Sequence, residues 1–204
     1  MTLTGHFIDD VQRRDNAVAL ALYAVNAPVG RHMGDPVHEE VTEGRYAQWR
    51  RARDAGQEWA KRMVYSSCGD LAAWMLYRLG CRDERLVNRT ADEGVKDWIP
   101  GRNVSAITSH AAYRRATGTD AAPQPGDVMF LMLPPDGHIS ILCEWDEANA
   151  IAITADYGQP EGARRIRKIR KQGGRWTLDG AQIGGWLDLD RVAFDGPLNL
   201  DGVP

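Results

Sequence analysis

Cys68, His138 and Asp156 supply a thiol, an imidazole and a carboxylate, the groups that a covalent nucleophile, its base and the base's orienter require. Cys68 lies in Tyr65-Ser66-Ser67-Cys68-Gly69-Asp70, which runs straight into Leu71-Ala72-Ala73-Trp74-Met75-Leu76-Tyr77-Arg78-Leu79-Gly80. The pattern predicts a buried helix, with Ser67 as N-cap, Asp70 as the acid three residues on and Gly80 as the stop. Cys68 is then the first helical residue. The unpaired N–H groups and positive dipole end of a helix favour a thiolate, so the expected pKa lies below the ordinary thiol value of about 8.5.

His138 follows a turn, an apolar run and a second turn: Pro125-Gly126-Asp127, Val128-Met129-Phe130-Leu131-Met132-Leu133, then Pro134-Pro135-Asp136-Gly137. It opens the run His138-Ile139-Ser140-Ile141-Leu142-Cys143-Glu144-Trp145, which reads as a strand. Alternation puts Ile139, Ile141, Cys143 and Trp145 on one face and His138, Ser140, Leu142 and Glu144 on the other. The next run, Ala150 to Tyr157, alternates in the same way, with Thr154 and Asp156 opposite Ile151, Ile153, Ala155 and Tyr157. Matching apolar faces in a hairpin allows two registers. A three-residue connection sets His138 directly across from Asp156, at a Cβ separation of about 4.5–5.5 Å. A five-residue connection makes them diagonal neighbours, and the sequence leaves both open.

A cysteine opening a helix, a later Pro-Gly-Asp strand, a Gly-His strand and a polar residue on the strand after it resemble the NlpC/P60 and CHAP branches of the papain-like cysteine peptidases and amidases. The resemblance spans roughly residues 65–159. It implies an α+β papain-like (NlpC/P60-like) fold, N-terminal helices packed on a small antiparallel β-sheet, with the Cys68 helix at the interface. It further implies Cys68 as nucleophile, His138 as base and Asp156 as third residue, with Gln159 in reserve for that role. Tyr65 is a candidate oxyanion donor beside the Cys68 N–H. The implied reaction is hydrolysis of a peptide or amide bond of cell-wall type, with no cofactor. Thioesterase or acyltransferase chemistry at the same site, or an idle papain-like module that binds a partner, are the competing readings.

Length and composition set the outer bounds. A chain of 204 residues is long enough for one domain with a substantial core, read as an N-terminal helical extension over 1–62, a catalytic core over 63–160 and C-terminal strands over 161–204. A net charge of −3 gives no electrostatic case for nucleic acid or anionic membrane. Three cysteines without a pairing pattern fit a reducing compartment. No secretory signal is legible at the N-terminus, so the expected location is cytoplasmic, and a wall substrate would need a signal-independent route of delivery.

The elements that must position the site follow from periodicity. Helices are expected over 8–25, 37–63 and 105–117, and a further hairpin over the basic run Arg164–Lys171 and Arg175–Leu178, with a last strand near 184–189. The basic run reads as a solvated strand face. Trp74 and Tyr77 read as core, Asp70 as a helix-start acid, and Cys81 and Cys143 as inert buried thiols. His110 is a competitor to His138 that lacks the strand context, and His32, Asp35, His38 and Glu39 lack the spacing of a metal site.

Overall fold

The computed structural model describes residues 10–26, 28–32, 35–42, 45–62, 68–87, 102–116, 121–134, 137–158 and 162–204. Its helices are α1 (Asp10–Ala24), α2 (Pro36–Thr42), α3 (Arg45–Asp54), α4 (Glu58–Arg62), α5 (Cys68–Arg78), α6 (Glu84–Val87) and α7 (Arg102–Ser109). The strands are β1 (Tyr113–Arg115), β2 (Val128–Met132), β3 (His138–Asp146), β4 (Ile151–Tyr157), β5 (Gly162–Gln172), β6 (Arg175–Leu178) and β7 (Ala181–Leu187).

The papain-like fold expected from the sequence, helices on a small antiparallel sheet, is not what forms. Strands β2 to β6 run side by side in order, and β7 pairs with both β6 and β2, so six antiparallel strands close into a barrel. β1 is an additional strand on the other part of β7. The cause lies in β5, whose 11 residues are long enough to pair with β4 through their first part and with β6 through their last. Docking of β1 on β7 needs close approach. A Cβ on Gly185 would collide with the Arg114 carbonyl and the Tyr113 ring, and a register shift in β2–β7 between Phe130 and Leu131 bends the pair at this corner.

The strands therefore carry two cores instead of one. Val128, Ile139, Ile141, Cys143, Ala155, Tyr157 and Leu187 face the helices and pack with Leu20, Leu71, Met75 and Leu76. Met129, Leu131, Leu142, Ala152, Ile169, Trp176, Leu178, Ile183 and Trp186 alternate with them and fill the barrel. Helix α5 packs on β3 and β4, and α1 packs on α5 and β3. The far end of α5 is held by residues near the C-terminus: Asn199 N–H donates to the Arg78 carbonyl at 2.8 Å and Arg78 Nε to the Asn199 carbonyl at 2.9 Å.

Two helix boundaries differ from expectation. The helix expected over 37–63 is divided into α2, α3 and α4. The helix expected over 105–117 ends at Ser109, whose hydroxyl bonds back to the Ser105 carbonyl at 2.7 Å, and Tyr113–Arg115 joins β7 instead. Sheet pairing here overrides local helical pattern. No helix among the described residues is long and apolar enough to cross a membrane.

The Pro125-Gly126-Asp127 turn is where α1 meets the barrel. The buried Asp127 carboxylate accepts from Arg14 Nη1 at 2.8 Å, Gln124 N at 2.8 Å and Leu189 N at 3.1 Å. Burial pushes the Asp127 carboxyl up, against the pull of Arg14 and the two N–H donors. Arg14 also reaches Asp188 and Asp190. Arg14→Met strands the Asp127 charge, and a loss of about 3 kcal/mol in urea denaturation at neutral pH is expected. The loss should shrink in acid, as the carboxyl takes up a proton.

Candidate active site

The thiol, the imidazole and the carboxylate come from three elements. Cys68 is the first residue of α5 and is 5% exposed. The residues before it, including Tyr65 and the expected N-cap Ser67, lie outside the described residues, as does Gln159. His138 opens β3 directly after Gly137, whose φ of 82 suits the left-handed region; a Cβ there would strike the Phe130 ring. Asp156 sits near the end of β4 and is 2% exposed.

The hairpin between β3 and β4 resolves the register. Ser140 stands across from Asp156, Ile141 across from Ala155 and Leu142 across from Thr154, so His138 and Asp156 are diagonal neighbours. Neither expected connection length occurs. The turn over 147–150 has four residues, with Asn149 N and Nδ2 donating to the Asp146 carboxylate at 3.0 and 2.6 Å. A four-residue turn alone would oppose apolar to polar faces, and a bulge between Leu142 and Glu144 restores the match on the far side. One expected face changes as a result: Trp145 leaves the row of Ile139 and Ile141 and packs with the barrel core, edge-on to Trp176 at 5.3 Å.

His138 has two side-chain partners. Nε2 lies 2.6 Å from Asp156 Oδ1, and the ring also hydrogen-bonds the Cys68 side chain. Burial disfavours the charged ring, but the bonds to Asp156 and Cys68 outweigh it and push the His138 pKa up to about 9. For Asp156, burial again opposes charge, and His138, Arg167 and Thr154 together hold the carboxyl below its ordinary value.

Sequence reasoning missed the roles of two residues, Arg167 and Thr154, and the three hydrogen bonds they make. Arg167 Nη2 donates to Asp156 Oδ1 at 2.8 Å and Arg167 Nε to Thr154 Oγ1 at 3.0 Å, while Thr154 Oγ1 donates to Asp156 Oδ2 at 2.5 Å. The basic run is solvated at Arg164, Arg165, Lys168 and Arg170, but Arg167 turns inward. Alternation within the run does not single it out, since Arg165 has the same parity; the β4–β5 register pairs Arg167 with Ala152, on the side of Thr154 and Asp156.

The other candidates lie elsewhere. His110 Nε2 pairs with Asp83 at 3.2 Å and its Nδ1 accepts from Ala112 N at 3.0 Å, an arrangement that ties the end of α7 to the loop before α6. Burial pushes the Cys143 thiol up to about 12 and raises Cys81 likewise. His38 is buried against the Tyr157 ring and its pKa is lowered by burial. Among the described residues no group of three or more His, Cys, Asp or Glu is placed to hold a metal ion. Asp70 is buried in the first turn of α5, as are Trp74 and most of that helix.

The balance at His138 gives a signed prediction. Asp156→Asn removes the Asp156 influences that raise the imidazole and leaves burial opposed by Cys68 alone, so its titration, followed by NMR, should fall from about 9 toward the ordinary 6.5. The stability that charged His138 contributes is complete below about 6.5 and lost as pH climbs through 9. The urea midpoint of the wild type should therefore decline over that window, and that of Asp156→Asn should not.

Comparison with family models, curated proteins and solved structures finds no match to this chain.

Proposed function

We propose that this protein is a cysteine hydrolase that cleaves a peptide or amide bond through Cys68, His138 and Asp156. The observation that carries the reading is a single imidazole bonded to a thiol at the start of a helix and to a buried carboxylate. A histidine with a pKa near 9 holds its proton at neutral pH, so it serves first as an acid.

The steps follow from that protonation state. The Cys68 thiolate attacks the carbonyl carbon, an S–C bond forms, and the Cys68 N–H at the helix start supports the oxyanion. The C–N bond breaks as His138 gives its proton to the leaving amine. The neutral imidazole then takes a proton from water, whose oxygen attacks the thioester. The S–C bond breaks, a carboxylic acid departs, and the thiolate–imidazolium pair is restored. Asp156 keeps the ring oriented through both halves.

The substrate proposal, an amide bond of peptidoglycan type, rests on the motif order shared with NlpC/P60 and CHAP enzymes. Incubation with muropeptides and mass spectrometry tests it directly. Cleavage should be lost by about 10⁴-fold or more in Cys68→Ala and only partly in Asp156→Ala. An acyl group passed from Cys68 to an added amine or thiol in preference to water would assign the site to acyl transfer. Iodoacetamide should modify Cys68 before Cys81 and Cys143; a rate no faster than theirs at neutral pH would leave a binding module without chemistry.

A further inference from the structure

We infer that Arg167 is a positioning residue, closing a ring with Thr154 and Asp156 that aims the carboxylate at His138. The inference rests on the cysteine-hydrolase reading of the site and extends it to a fourth and a fifth side chain.

The hydrogen-bond directions make the case. Arg167 has only donors, so Thr154 Oγ1 must accept from Arg167 Nε. That leaves the Thr154 proton to go to Asp156 Oδ2. Arg167 Nη2 completes the ring on Oδ1, the same oxygen that faces His138 Nε2. Both carboxylate oxygens are then fixed, and so is the plane in which Oδ1 meets the imidazole. Ser140 stands directly across from Asp156, yet its buried hydroxyl makes no hydrogen bond, so among the described residues the side chains other than His138 that hold the carboxylate against rotation come from β4 and β5. Arg167 is itself nearly enclosed, with its side chain 11% exposed, and Asp179 lies behind it at 3.4 Å.

Charge alone would give a different result. The charged and titratable groups around Asp156 are His138 on β3, Cys68 on α5, Cys143 in the β3 bulge and Arg167 on β5, with Arg164 beside Cys143. If Arg167 acted only as a nearby cation, removing it would make the imidazole easier to protonate. If it aims the carboxylate, removing it loosens the bond between Asp156 and His138, and the imidazole becomes harder to protonate.

The test is the pH profile of Cys68 alkylation by iodoacetamide, with the His138 titration by NMR, in the wild type, Arg167→Met, Arg167→Lys and Thr154→Val. Arg167→Met should slow alkylation at pH 7 by about tenfold and shift the His138 titration downward. Arg167→Lys keeps the charge but lacks the planar fork needed to bond both partners, and it should restore little. Thr154→Val keeps the shape and Arg167 and removes one link; it should move both readouts in the same direction by a smaller amount, and it decides the matter should Arg167→Met not fold. Wild-type profiles in the folded variants, or an upward shift of His138 in Arg167→Met or Thr154→Val, would overturn the role of Arg167. A wild-type Cys68 that reacts no faster than Cys81 would instead remove the parent reading, so the two failures are told apart.

Discussion

Closure of the barrel at β7 is the constraint on which the rest of this structure depends. One strand satisfies β2, β6 and β1, and in doing so leaves the six barrel strands without an exposed ladder on that side. It also divides the apolar residues of β2, β3, β4 and β7 between two environments. Helix α5 can then be apolar nearly all round, because β3 and β4 present it with one row of side chains while a second row is used inside the barrel. Cys68 is presented at the end of a helix that has no freedom to turn.

The same closure makes the electrostatics of the site expensive and hence sharply defined. Asp156, Thr154 and His138 project from the barrel-facing side of their strands, where solvent is scarce. Burial is the largest influence on both His138 and Asp156 and acts against the charge of each. Each is nonetheless charged because the other is, an arrangement in which the proton belongs to the group of residues more than to any one member. Cys143 and Cys81 show what the interior does to a thiol with no such neighbour.

Much of the site was legible in the sequence because it depends on local rules. A small polar residue, a cysteine and an acid mark a helix start; a glycine before His138 marks a strand start; and strand alternation puts Thr154 and Asp156 on the same side as His138. The diagonal relation of His138 to Asp156 was one of two registers open to reasoning. What was not legible is what depends on pairing across long separations in sequence. Nothing near Ala181–Leu187 announces that it will meet both Val128–Met132 and Arg175–Leu178. Arg167 looked like one cation among six, since its neighbour Asp156 is found only through the β4–β5 register. Tyr113–Arg115 carries a helical pattern until β7 offers it a partner.

The surplus residue at Cys143 has a consequence for how the protein can vary. A turn of even length and one unpaired position form a single compensated device, and the orientation of the imidazole is its output. Lengthening or trimming the 147–150 loop by one residue without a matching change in the bulge would turn one strand over relative to its neighbour, sending His138 and Asp156 to opposite sides. Natural relatives that keep this arrangement of side chains should therefore differ in this hairpin by paired gains or losses, a grammar of insertions set by geometry far from the Cys68 sulfur.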